Sequence, residues 1–151
     1  MSEAKWHLNR AGIFNYWYYD ETYFDFAGGK MLLRGSNGSG KSVTTASLLP
    51  MLLDGKTNPT RLDPFGSGAR KIEDYLLGEK DVSTYEERTG YLMLEYKSAG
   101  MEKYITTGIG IQARRDNKPT KWYFVITDGR RIGTDIELLK KGRGFEASTF
   151  A

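Results

Sequence analysis

The sequence predicts an α/β fold, a mixed sheet joined to an antiparallel β-meander, in a single domain spanning residues 1–151. Three observations predict it. Met31-Leu32-Leu33 is a short continuous apolar run, the pattern of a strand buried on both faces. A glycine-rich loop follows, and then apolar positions at Val43, Ala46, Leu49 and Leu53 fall at helical spacing. From Thr89 onward the pattern changes to period two, interrupted by turn residues, as in consecutive antiparallel strands.

In chain order, Arg10 to Tyr19 is rich in β-branched and aromatic residues and reads as a first strand with its turn. Thr22 to Phe26 alternates as a half-buried strand does, and Ala27-Gly28-Gly29-Lys30 is a hairpin-type turn. The helix from Lys41 to about Leu53 is bent by Pro50, which removes one backbone bond, and ends at Asp54-Gly55. Lys56 to Ala69 is a loop with two prolines and two glycines. Arg70 to Leu77 places Ile72, Tyr75 and Leu76 on one side and stops at Gly78, which predicts a short helix. Tyr91–Tyr96, Lys103–Ala113 and Lys121–Thr127 are the strands of the meander, with turns at 98–100 and 115–119. Asp128-Gly129 is a further turn, and Ile136 to Lys140 reads as a short helix.

Composition excludes several classes of function. The chain has no cysteine, so disulfide scaffolds, thiolate metal sites and cysteine nucleophiles are out. His7 is the single histidine, too little for a zinc site or a Ser-His-Asp triad. The longest apolar run, Leu48 to Leu53, is broken by Pro50, far short of the ~20 residues that cross a bilayer. Residues 1–10 lack the apolar core of a secretory signal, and the expected location is the cytoplasm. Charge is uneven. Residues 1–100 hold 12 Lys/Arg against 13 Asp/Glu, whereas residues 101–151 hold 10 against 6. The basic third includes Arg114, Arg115, Lys118, Lys121, Arg130, Arg131, Lys140, Lys141 and Arg143, which reads either as a solvated face or as a surface for nucleic acid.

The stretch that carries chemistry is Gly35-Ser36-Asn37-Gly38-Ser39-Gly40-Lys41-Ser42, which fits G-x-x-x-x-G-K-[ST] at every position. This is the phosphate-binding P-loop, or Walker A motif. Its glycines let successive backbone N–H groups converge on phosphate oxygens, and a following helix start adds unpaired N–H groups. Lys41 is the charge on the β- and γ-phosphates and the residue assigned a catalytic part. Ser42 offers a hydroxyl to Mg²⁺, a hard ion that prefers oxygen. The expected nucleotide-binding set is Gly35 to Val43, the cofactors ATP and Mg²⁺, and the expected fold that of the P-loop NTPases.

Hydrolysis needs more than a phosphate cradle. A Walker B-type acid must hold the metal and another group must orient water. Phe124-Val125-Ile126-Thr127-Asp128 is the best candidate for an apolar strand ending in such an acid, but Asp128-Gly129 reads better as a turn. Glu95, after Leu92-Met93-Leu94, is expected on the polar, alternating face of its strand. The chain therefore reads as holding half of a site.

The string Asn37-Gly38-Ser39-Gly40-Lys41-Ser42 resembles the P-loop of SMC and Rad50-like members of the ABC ATPases. Trp6 to Ile13, Asn15 to Thr22, Leu48 to Gly55 and Arg61 to Ser67 resemble the start of MukB-like SMC proteins, the ATPase subunit of Wadjet-type plasmid-defence systems. The resemblance covers essentially the whole chain. It implies the N-terminal lobe of a split ATPase head whose C-terminal lobe supplies the signature motif and Walker B acid, beyond a long coiled coil. It also implies a homodimer of heads sandwiching ATP, kleisin and winged-helix subunits, a nuclease subunit, and double-stranded DNA as the object of loop extrusion, chromosome segregation or plasmid restriction. The chain departs from the full pattern, with no Leu-Ser-Gly-Gly string, no convincing Walker B and no heptads, so an N-terminal fragment of a larger protein is expected. Gln112, the only glutamine, lies in a predicted strand and receives no nucleotide role.

Lesser candidates have two readings each. Asn15 and the Tyr16-Trp17-Tyr18-Tyr19 cluster either approach the nucleotide or cover the sheet. Ser67 and Arg70 lie in a loop that, in SMC heads, carries a basic residue near nucleotide or DNA; Arg70 serves equally as an exposed first-turn residue. Two rivals to the half-head remain. One is a self-contained P-loop NTPase or kinase using Asp128. The other is a DNA-binding module using the basic third.

Overall fold

A computed structural model of the 151-residue chain describes residues 5–16, 19–32, 34, 55, 71–78, 85–100, 102–132 and 134. Five strands and one helix are present among them: β1 (Trp6–Tyr16), β2 (Tyr19–Asp25), α1 (Ile72–Leu77), β3 (Glu87–Ser98), β4 (Tyr104–Arg114) and β5 (Thr120–Ile126). The strands form one sheet in the order β2-β1-β3-β4-β5, and every pairing is antiparallel.

This corrects the α/β P-loop NTPase expectation. The described residues form an antiparallel sheet with a single six-residue helix, not a mixed sheet flanked by helices. Met31 and Leu32, expected in a strand buried on both faces, belong to no strand, and Leu32 is 73% exposed. The physical reason lies in the sheet order. β1 is already bonded on one side by β2 and on the other by β3, so the centre of the sheet has no open edge for another strand. Three apolar residues are also too few to distinguish a buried strand from a connector.

The elements expected from period-two patterning are present with somewhat different ends, and β1 begins four residues earlier than predicted. The turn 27–30 closes with reciprocal backbone bonds between Ala27 and Lys30, and Gly28 (φ 58) and Gly29 (φ 81) supply its two left-handed positions. The short helix is α1, with Gly78 at φ 89 donating back to the Asp74 carbonyl. The predicted helices at 41–53 and 136–140 lie outside the described residues.

The sheet is covered on both faces near its centre. Tyr91, Leu92, Met93 and Leu94 of β3 are all fully buried, although successive side chains point to opposite faces. One face joins Ile13, Leu92, Ile109, Ile111 and Ala113 to Ile72, Tyr75, Leu76 and Leu77 of α1. The other gathers Phe14, Tyr91, Met93, Ile126 and Ile132, with Tyr23, Trp122 and Phe124 against them. Glycines make room for the rings on this second face. A Cβ on Gly108 would lie 2.1 Å from the Phe124 ring, and one on Gly110 would lie 2.2 Å from the Trp122 ring. The Tyr91 ring then receives Trp122 and Phe124 edge-on, at centroid distances of 5.8 and 6.0 Å.

Candidate functional site

Gly35 to Val43, the expected phosphate loop, and Arg70 lie outside the described residues, as do Trp17, Tyr18, Ser67, Lys140, Lys141 and Arg143. The described residue nearest the loop in sequence is Arg34, which is exposed. Gly55, where the helix after the loop is expected to end, adopts φ 70 and its carbonyl accepts the Tyr123 hydroxyl at 2.8 Å. Residue 55 therefore sits over β5, on the α1 side of the sheet.

Asn15 is placed by backbone geometry. It adopts φ 49, and its side-chain amide donates to the Thr89 carbonyl at 3.1 Å. The left-handed residue turns the chain, so Phe14 and Tyr16 enter opposite cores although they are two apart. Tyr16 stacks on Tyr75 with 5.4 Å between centroids and an interplanar angle of 6°. For Tyr16 the covering role is the one observed. Gly90 lets this crossing close up, because a Cβ there would meet the Asn15 carbonyl oxygen at 2.7 Å.

Asp128 follows β5, an edge strand whose Tyr123 and Val125 are exposed. Its side chain is 56% exposed and pairs with Arg130 Nε at 2.9 Å, while the Arg130 backbone N–H donates to it at 3.2 Å. The Arg130 hydrogen bonds hold the Asp128 carboxyl below the usual carboxylate range. This is a turn locked by its own ion pair. Among the described residues no group of three His, Cys, Asp or Glu side chains is arranged to hold a metal ion.

Among the described residues, Arg114, Arg115, Arg130 and Arg131 of the basic third have partners, and so has Arg88 before it. Arg114 pairs with Glu87 at 2.9 Å, and Arg130 with Asp128. Arg115 donates to the Tyr85 carbonyl at 3.2 Å and approaches Leu77 O at 3.5 Å. Arg88, buried, donates to the Leu76 carbonyl at 3.2 Å. α1 has no basic residue in its last turn, so arginines from the sheet reach the carbonyls its C-terminus leaves open. Among the described residues these arginines brace the C-terminal end of α1 and the turn after β5.

The structure assembles one polar cluster that the alternating pattern did not announce. Glu95 of β3, expected on the polar, alternating face of its strand, is 0% exposed. A β-bulge between Leu8 and Arg10 inserts Asn9, whose amide donates to Glu95 Oε1 at 2.7 Å. The Ile132 backbone N–H donates to Glu95 Oε2 at 2.9 Å, and Arg131 Nη2 stands 3.5 Å from Oε1. Arg10 Nη1 in turn donates to the Ile132 carbonyl at 2.8 Å, and its Nε pairs with Asp25 at 2.8 Å. The signal available in sequence was the continuous apolar run 91–94 before Glu95. It marks a strand buried on both faces, where a carboxylate must find donors.

Comparison of the sequence with protein-family models and with curated proteins finds no match. No helix among the described residues is long and apolar enough to cross a membrane.

Proposed function

We propose that this chain binds the phosphates of Mg–ATP through Gly35 to Ser42 and is one half of a composite ATPase site of the kind found in SMC-like proteins. The single observation that carries this is the eight-residue string, which fits the phosphate-loop pattern at every position. Its donor set suits a magnesium nucleotide: glycine N–H groups for phosphate oxygens, the Lys41 ammonium for their charge and the Ser42 hydroxyl for the metal. Bound Mg²⁺ would supply charge neutralisation at the phosphates. Phosphate binding by such a loop rests on local backbone and one lysine. The antiparallel sheet neither supplies that chemistry nor opposes it.

We read the site as half of one because the sequence holds no convincing Walker B string. Asp128, the best candidate, is already paired with Arg130. The acid and the water-orienting group would come from a further lobe and a second head, as the resemblance to SMC proteins implies, with DNA as the object of the assembled machine.

The test is equilibrium binding of Mg–ATP to the 151-residue chain by calorimetry, beside Lys41→Ala and Ser42→Ala. The proposal expects saturable binding that Lys41→Ala weakens by at least roughly tenfold, the loss of a charge-assisted contact to phosphate. Ser42→Ala should weaken binding only when Mg²⁺ is present. Equal affinity in the wild type and Lys41→Ala would overturn it.

A further inference from the structure

The chain leaving β5 returns to the sheet as a short strap, residues 130–132. Ile132 is fully buried among Phe14, Tyr91, Met93 and Ile126, and Gly12 makes room for it, since a Cβ there would lie 2.9 Å from its Cγ2. The strap does not join the sheet as a strand. Both polar groups of the Ile132 backbone are instead taken by side chains, its N–H by Glu95 and its carbonyl by Arg10. A single buried carboxylate thus accepts from β1, through Asn9, and from the strap.

We propose that Glu95 is a charge latch: ionised, it holds residues 130–132 on the sheet; neutralised, it lets the strap lift and uncovers the apolar cluster beneath while the strands stay paired. The groups around it present donors to both carboxylate oxygens. From β1 it meets the Asn9 amide, with Arg10 beside it bridging to Asp25. From the strap come the Ile132 N–H and the Arg131 guanidinium. Thr106 of β4 is its register partner, and the buried Thr106 hydroxyl has no hydrogen-bond partner. Farther along the same face, Tyr104 carries Arg131 at 4.3 Å and Lys97 at 5.8 Å from its ring centroid. The contacts to the carboxylate are all donors, so neutralising it removes their charge assistance and weakens the hold on the strap.

Native-state hydrogen exchange by NMR on the 151-residue chain tests this. In Glu95→Gln the Ile132 amide should lose protection by roughly 10- to 100-fold, the range for a hydrogen bond to a charged group. The amides of the β3–β4 ladder should keep theirs. Unchanged Ile132 protection would overturn the latch, as would equal loss across strap and ladder, which would make them one cooperative unit. If Glu95→Gln does not fold, the wild type answers by acid titration with the Glu95 side-chain carboxyl carbon observed directly. Loss of Ile132 protection in step with Glu95 protonation, with the ladder intact, supports the latch. Ile132 protection that persists after Glu95 is protonated, or falls only with the whole ladder, refutes it.

Discussion

Replacing Gly110 with alanine sets two physical expectations against each other. A glycine in mid-strand weakens folding through the freedom of the unfolded chain, so alanine at a compatible site stabilises by about 0.4–1 kcal/mol. The geometry at Gly110 predicts the opposite. The added Cβ would meet Trp122 Cε2 at 2.2 Å, Cζ2 at 2.4 Å and Nε1 at 2.5 Å, all within the indole rather than at a flexible tip. The ring must leave its seat and lose its edge-on contact with Tyr91. Overpacking of this kind costs about 1–3 kcal/mol, which exceeds the entropic gain. At about 2–4 °C per kcal/mol for a domain of this size, the midpoint should fall by roughly 2–12 °C. The assay is urea and thermal unfolding followed by tryptophan fluorescence and circular dichroism. A double-mutant cycle isolates the cause: in a Trp122→Ala background, Gly110→Ala should be neutral or stabilising. A Gly110→Ala protein as stable as the wild type, or a cost that persists without Trp122, would refute the ring-seat reasoning.

Two further predictions rest on single contacts. Arg88→Met should destabilise by about 1–3 kcal/mol by leaving the Leu76 carbonyl without its donor, and α1 amides should exchange ahead of the β3–β4 ladder. Arg130→Ala should return the Asp128 carboxyl toward the ordinary range. Because the folded value is depressed, the pair's contribution is present above the unfolded pKa and fades as pH falls through the folded one, so the two proteins should differ at neutral pH and converge in acid. A carboxyl titration unchanged by the substitution would count against Arg130 as the cause. With Asp128 largely exposed, the stability difference should be small.

How far the sequence could be read depended on how local each signal was. Turns and period-two strands are local, so the 27–30 turn, the short helix before Gly78 and the three strands after Thr89 were legible. Fold class was not. A helical period at 43–53 and three apolar residues at 31–33 suggested a mixed sheet, but which strands flank β1 is a long-range fact, and β2 and β3 hold both of its sides. Glu95 departs from its pattern for a related reason. Period two assigns it to the polar face, yet both faces of β3 are buried, and only the Asn9 bulge and the strap, 86 and 37 residues away, supply its donors. The arginines of the basic third were visible as charge, while their partners, Glu87, Asp128 and the carbonyls of Tyr85 and Leu77, were not. The candidate nucleotide site was legible from sequence because the chemistry of a phosphate loop is written in eight consecutive residues.

The most direct test of the central claim is Mg–ATP turnover, measured together with binding, by the folded 151-residue chain at high protein concentration beside Lys41→Ala. A half-site predicts nucleotide binding that depends on Lys41 and no turnover above that of Lys41→Ala. Turnover that Lys41→Ala abolishes would contradict the half-site and return a catalytic role to an acid within this chain. The absence of any Lys41-dependent nucleotide binding would contradict the assignment of Gly35 to Ser42 as a phosphate site.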